Sequence, residues 1–212
     1  MTDFLTFALS RRSIRKFEPT PIPEEHIRAM VEAAHCAPSG CNSQCWQFVA
    51  VTGQPMREKL AQAVREGIRS FFEGTELADD EAFLQGREKA FTFFQRAPLV
   101  FLVFLDHMDY YEKKTLGVYE RRGIGHRDMM DRMGYPDVLS VGAAVENLLL
   151  QVQQLGYGAC WMNDPIMAEK QIKAAVGADD SLRLMSVIPV GVPAYTPREK
   201  VQKPLEQVLR IL

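Results

Sequence analysis

The sequence predicts a mixed α/β or α+β layer structure with helices over a small sheet, and three observations carry that expectation. Leu99 to Leu105 is an uninterrupted apolar run after Pro98, the pattern of a strand covered on both faces. Val138, Val141, Val145, Leu148, Leu149, Val152 and Leu155 recur at helical spacing and stop at Gly156. No internal repeat, low-complexity tract or interdomain linker appears, so residues 1–212 are read as a single domain with an excursion or lid at about 106–136.

Composition sets the outer limits. The chain carries 25 Lys+Arg against 27 Asp+Glu, a net charge of −2. Coating nucleic acid or an anionic membrane draws on surplus Lys and Arg, so neither is an expected partner. Hydrophobic residues at 47% and charged residues at 25% suit a full core without metal or disulfide staples. The 4 cysteines, three of them at Cys36, Cys41 and Cys45, do not form the dense framework of a small secreted scaffold. Asp3 stands where a secretory signal would carry a base, and no apolar run approaches the roughly 20 residues of a membrane span. A cytoplasmic setting is the expectation.

Taken in order, residues 2–9 predict a short helix, followed by the basic segment Arg11-Arg12-Ser13-Ile14-Arg15-Lys16-Phe17. Pro19 and Pro21 enforce an extended link; Pro23, Glu24, Glu25 and the stripe Ile27, Met30, Val31, Ala34 predict a helix over 23–36. Residues 37–44 form a loop, 46–52 a strand, 55–73 and 81–95 helices, and 99–105 the central strand. Strands at 158–162 and 186–190 flank a helix at about 166–176, and the proline-bearing stretch 193–212 is an extended arm.

Three segments offer chemistry. In an extended chain Arg11, Ser13 and Arg15 alternate onto one side and present two guanidiniums and a hydroxyl to an anion; a solvated charge run is the alternative. Ala37-Pro38-Ser39-Gly40-Cys41-Asn42-Ser43-Gln44-Cys45-Trp46 places amides and a hydroxyl before a strand, where they can read the edge of a heterocycle or simply make a turn. Around Gly156 to Asn163, glycines let backbone approach a flat ligand. The spacing of Cys36, Cys41 and Cys45 matches structural zinc sites poorly. The chain has no GxSxG elbow, phosphate-binding Walker loop or GxGxxG after a strand.

In this order the segments resemble the nitroreductase family of FMN-dependent oxidoreductases. The likeness rests on Arg-Arg-Ser-x-Arg, Ala-Pro-Ser-Gly-x-Asn-x-Gln-x-Trp, the helix with Glu146-Asn147-Leu148-Leu149-Leu150, the Gly-x-Gly stretch, Val190-Gly191-x-Pro193 and Lys203-Pro204-Leu205. It implies a three-layer α/β/α sandwich, α+β in class, whose small, mostly antiparallel sheet is flanked by helices, with the C-terminal arm exchanged in a homodimer. It further implies that FMN is the cofactor and NADH or NADPH the reductant, in a ping-pong hydride mechanism. The small-molecule acceptor would be electron-poor, a nitroaromatic or quinone. The flavin carries the chemistry, so no catalytic side chain and no metal is implied.

Residue by residue, the resemblance puts Arg11, Ser13 and Arg15 at the phosphate and the N1/O2 side of the flavin, with Arg12 contributing backbone or side chain. Positive charge there suits the negative charge that reduction places near N1. Pro38, Ser39, Gly40, Asn42 and Gln44 match the loop around the pyrimidine and ribityl portions. Met162 and Asn163 match the segment passing N5, and Lys200 and Lys203 the basic residues that reach the phosphate. Tyr110, Tyr111, Tyr119, His126 and Arg127 stand on the substrate side or on a plain surface loop. The chain departs from the family at Cys45 (usually proline), Gln202 (often arginine) and Asn163 (an acid in some members). Reductive dehalogenation or flavin breakdown, and a non-catalytic redox or metal sensor built on Cys36, Cys41 and Cys45, are the alternatives.

Overall fold

The apolar run marked as a strand lies inside a four-stranded sheet whose two faces are both covered. The computed structural model describes residues 3–108 and 113–212, with the backbone alone for 113–116. Its elements are α1 (Phe4–Ser10), α2 (Glu24–His35), β1 (Trp46–Val51), α3 (Gln54–Phe72), α4 (Glu81–Phe91), β2 (Leu99–Leu105), α5 (Lys113–Arg121), α6 (His126–Arg132), α7 (Pro136–Gln154), β3 (Gly158–Ala159), α8 (Glu169–Val176) and β4 (Arg183–Gly191). The sheet order is β1-β2-β4-β3, with every named pair antiparallel.

Strand alternation divides β2 between two cores. Leu99, Phe101, Val103 and Leu105 pack with Met30 and Ala34 of α2 and with Val141, Val145, Leu148 and Val152 of α7. Val100, Leu102 and Phe104 pack with Leu60, Val64 and Ile68 of α3, Leu84 of α4 and Ile172 of α8. The result is an α/β/α sandwich. Gly67 permits the second layer to close, since a Cβ there would lie 2.3 Å from the Cβ of Ala168.

The differences from the sequence reading have local causes. The helix expected over 81–95 ends at Phe91, because the Thr92 hydroxyl donates to the Glu88 carbonyl and a 3-10 turn, Phe93–Arg96, follows. The strand expected over 158–162 pairs as a ladder only at Gly158–Ala159, and Met162 adds an isolated bridge to Val187. β4 begins at Arg183 instead of 186, since a bulge between Val103 and Phe104 lets pairing continue toward Leu105. The helix expected at 166–176 is split into a 3-10 turn, Asp164–Ala168, and α8. Tyr110 and Tyr111 lie outside the described residues.

Two parts of the chain bury almost nothing. Helix α1 has no buried residue and exposes Phe4, Leu5 and Leu9. Residues 198–212 are exposed throughout, Val201 at 96% and Ile211 at 86%. Among the described residues no helix is long and apolar enough to cross a membrane.

Candidate functional site

The basic segment is extended because α1 stops at Ser10, whose hydroxyl donates to the Phe7 carbonyl, and Arg11 then takes up β conformation. Ile14 is buried and donates its N–H to the Ala159 carbonyl at 2.8 Å, while Ser13 pairs with Ala159 in a parallel bridge. With Ile14 pointing inward, Arg11, Ser13 and Arg15 line a cavity of about 480 Å³ together with Tyr195, Arg198 and Lys200. Its cations are Arg11, Arg12, Arg15, Arg198 and Lys200, against the single carboxylate of Glu199. Such a lining favours an anion.

Its cations are not equally available. The Arg12 guanidinium donates to the carbonyls of Leu9, Arg11 and Arg198, so its side chain fastens the arm to the end of α1. Of the two expected contributions of Arg12, backbone or side chain, its guanidinium is thus held by backbone carbonyls of this chain, while the residue still borders the cavity. Arg11 stands 4.0 Å from Glu146 at the margin of an ion pair. Lys200 borders the cavity and Lys203 does not. Arg15 also borders a second cavity, beside Lys16, Arg65, Lys89 and Arg96. Of these four the sequence reading contains only Lys16, in the basic segment; Arg65 and Lys89 fall in segments read as helix and Arg96 just beyond one, so nothing in their spacing brings them together.

The loop after α2 is strained. Cys41, Asn42 and Gln44 have φ of 52°, 55° and 48°, left-handed values that Asn tolerates and Cys and Gln disfavour. The Ser39 hydroxyl accepts from the Gln44 N–H at 3.0 Å, and the Gly40 N–H donates to the Ser140 hydroxyl at 3.1 Å. Ser43 Oγ is buried beside the Cys45 thiol, on which it acts, and has no other hydrogen-bond partner among the described residues. Backbone strain of this kind clusters at binding sites. Yet Pro38, Ser39, Gly40, Asn42 and Gln44 border neither basic cavity. The loop meets α7 at Ser140, whereas the basic segment meets it at Glu146 and, through Ser10, at Gln153. Along a helix, positions 140 and 153 are about 20 Å apart.

At the segment expected to pass N5, the Met162 N–H donates to the Val187 carbonyl at 3.1 Å, and the Met162 side chain is in the core. Its N–H and its side chain are thus engaged within this chain. The Asn163 side chain donates to the Met185 carbonyl at 2.9 Å, while its backbone N–H has no hydrogen-bond partner among the described residues. On the excursion, Arg127 pairs with the buried Asp137 at 3.3 Å and lies over the Tyr135 ring, tying α6 to the start of α7.

The cysteines separate by burial. Cys36 and Cys41 are exposed, whereas Cys45 and Cys160 are buried. Among the described residues no group of three His, Cys, Asp or Glu could hold a metal ion. Burial pushes both buried thiols above the ordinary 9.0, against an opposing pull from Ser43 at Cys45 and from Arg15 and Ser13 at Cys160. At pH 8 iodoacetamide should therefore modify Cys36 in the native protein and reach Cys45 and Cys160 only after unfolding, as read by peptide mass spectrometry. The sign for stability follows from the same shift. Above pH 9 the unfolded chain releases thiol protons that the folded chain retains, so these groups favour the fold below that pH and lose their effect as pH rises.

Comparison with known proteins completes the site. The model of the nitroreductase family matches residues 8–192. "Putative NAD(P)H nitroreductase YfhC" of Bacillus subtilis is 25% identical over 196 residues, covering 92% of this chain and 87% of its own. An iodotyrosine deiodinase of Thermotoga neapolitana is 25% identical over 191 residues, covering 88% and 86%. The crystal structure of a BluB-like flavoprotein from Clostridium difficile superposes with a TM-score of 0.83 at 26% identity, covering 100% of both chains. The matched residues span the basic segment, the strained loop, the whole sheet and the Asn163 turn, and the chain belongs to the nitroreductase family.

Proposed function

We propose that the protein is an FMN-dependent oxidoreductase, working as a homodimer with exchanged C-terminal arms, that uses NADH or NADPH to reduce electron-poor small molecules such as nitroaromatics or quinones. The observation that carries the reading is the cavity in which Arg11, Ser13, Arg15 and Lys200 converge on backbone fixed by the Ile14–Ala159 hydrogen bond. The donor set fits the group: cations for a phosphate, and an Asn163 backbone N–H without a partner among the described residues. FMN, when bound, supplies the centre that accepts and returns hydride.

The residues of this chain bind and orient. Arg11 and Lys200 hold the phosphate, Arg15 places positive charge beside the ring, and the 38–44 loop supplies amide and hydroxyl edges. The loop borders neither of the two basic cavities described above, which supports a site completed by a second copy. Arg15→Ala removes a charged hydrogen-bond donor, which is worth about 1.5–3 kcal/mol, or roughly tenfold to a hundredfold in FMN affinity. Flavin absorbance of the purified variant and FMN titration of the apoprotein check this. An unchanged affinity would remove the assignment of Arg15, and a wild-type protein that takes up no FMN would remove the whole reading.

The kinship to iodotyrosine deiodinases favours reductive dehalogenation as a second reading. Product analysis with 3-iodotyrosine and with nitrobenzene, each supplied separately to the reduced protein, separates the two. Turnover of the nitro compound alone counts against dehalogenation.

A further inference from the structure

The second cavity beside Arg15 has a volume of about 650 Å³, within the range of small-molecule sites, and lies between the basic segment, α3, α4 and the Phe93–Arg96 turn. Its cations are Arg15, Lys16, Arg65, Lys89 and Arg96, in a protein whose net charge is −2. Its only carboxylate, Glu88, is engaged by Arg69 at 2.8 Å. Arg15, Lys16, Lys89 and Arg96 form no ion pair with a described residue. Arg65 is half-buried and reaches only the neutral amide oxygens of Gln62 and Gln95, each at 3.4 Å. A half-buried guanidinium without a counter-charge among four further cations is stabilised by an incoming anion. The half-buried Phe93 adds an aromatic wall on which a ring can rest.

We infer that this cleft seats the anionic group, phosphate or carboxylate, of an aromatic small molecule, and so selects anionic reductants or acceptors over neutral ones. The inference rests on the FMN reading, since Arg15 borders both cavities and an anion held here lies beside the proposed cofactor. Two sources share this chemistry: the 2′-phosphate of NADPH, and a carboxylate or phosphate on the acceptor.

The test uses the flavin-loaded protein and the double variant Lys89→Gln/Arg96→Gln, which spares Arg15. Calorimetric titration with adenosine 2′-phosphate and with 4-nitrobenzoate reads binding directly. At least one probe should bind the wild type, weaken on added salt, and bind the variant about tenfold more weakly. In steady state, the KM ratio of NADPH to NADH rises tenfold in the variant if the phosphate is the source. The KM ratio of 4-nitrobenzoate to nitrobenzene rises if it is the carboxylate. The charge-keeping variant Lys89→Arg/Arg96→Lys should retain both binding and ratios. Failure of both probes to bind the wild type, or equal affinity in the wild type and the Gln variant, overturns the inference. If the protein takes up no FMN but binds a probe in a Lys89- and Arg96-dependent way, the anion seat stands and the FMN reading falls.

Discussion

Replacing Gly158 by valine is expected to lower the melting temperature and abolish FMN retention together. A Cβ at this position would lie 2.4 Å from Ile14 Cγ1, 2.9 Å from Ile14 Cβ and 3.0 Å from Pro193 Cγ. Ile14 is 3% exposed and branched at Cβ, so it cannot swing aside. The basic segment must then lift off β3, losing the 2.8 Å bond from the Ile14 N–H to the Ala159 carbonyl. Overpacking costs about 1–3 kcal/mol and the lost hydrogen bond about 0.5–1.5 kcal/mol, which for a chain of this size amounts to roughly 5–15 °C. The same movement turns Ser13 and Arg15 away from the cavity they line. Calorimetry and the ratio of flavin to protein absorbance follow the two effects. Gly53→Ala, where a Cβ meets nothing within 4 Å, is the control. A destabilised variant that stays fully yellow would show that the strain is relieved elsewhere and that the segment does not hold the cofactor.

The part of this architecture legible in the sequence is the part whose burial is two-sided or strictly periodic. Leu99 to Leu105 was bounded correctly because both faces of β2 are buried and Pro98 and Asp106 close the run. The long apolar helix was legible through Val141, Val145, Leu148 and Val152, which face one core. Less legible were features that depend on where a backbone group finds its partner. Nothing in the residue types at 162 and 163 says that the Met162 N–H donates to Val187 while the Asn163 backbone N–H has no hydrogen-bond partner among the described residues. Thr92 ends α4 through a side-chain bond that competes with the helix, and propensity alone carries a helix through Gln95.

The site divides in the same way. Arg11, Ser13 and Arg15 are adjacent in sequence and alternate, so their convergence follows from strand geometry. Arg65, Lys89 and Arg96 come from α3, from α4 and from the turn before β2, and only the packing of these elements brings them beside Arg15. Arg12 falls outside that alternating set, and residue types alone do not say where its guanidinium goes. Its side chain is captured by three backbone carbonyls, the last supplied by Arg198 far along the chain.

Removing residues 198–212 is expected to leave a folded, colourless monomer. None of these residues belongs to either core, so the sandwich does not need them. Their apolar members are nonetheless left in water: Val201, Leu205, Val208, Leu209, Ile211 and Leu212 are all at least 50% exposed. At about 1.5–3 kcal/mol for each side chain fully covered, this arm holds on the order of 10 kcal/mol of unused burial. Phe4, Leu5 and Leu9 of α1 add to it, and β1 ends the sheet with an unpaired edge. Under the proposed dimer, a second copy would offer a surface for the arm and a 38–44 loop for the basic cavity at once. Light scattering, circular dichroism and visible absorbance together read the outcome. The variant Lys200→Ala, with the arm intact, separates loss of one phosphate contact from loss of the partner: it should remain dimeric and retain part of its FMN. A truncated chain that is still dimeric and yellow would mean that the arm neither crosses to a partner nor completes the site. A full-length chain that is monomeric yet binds FMN fully would mean that the two halves meet within one chain.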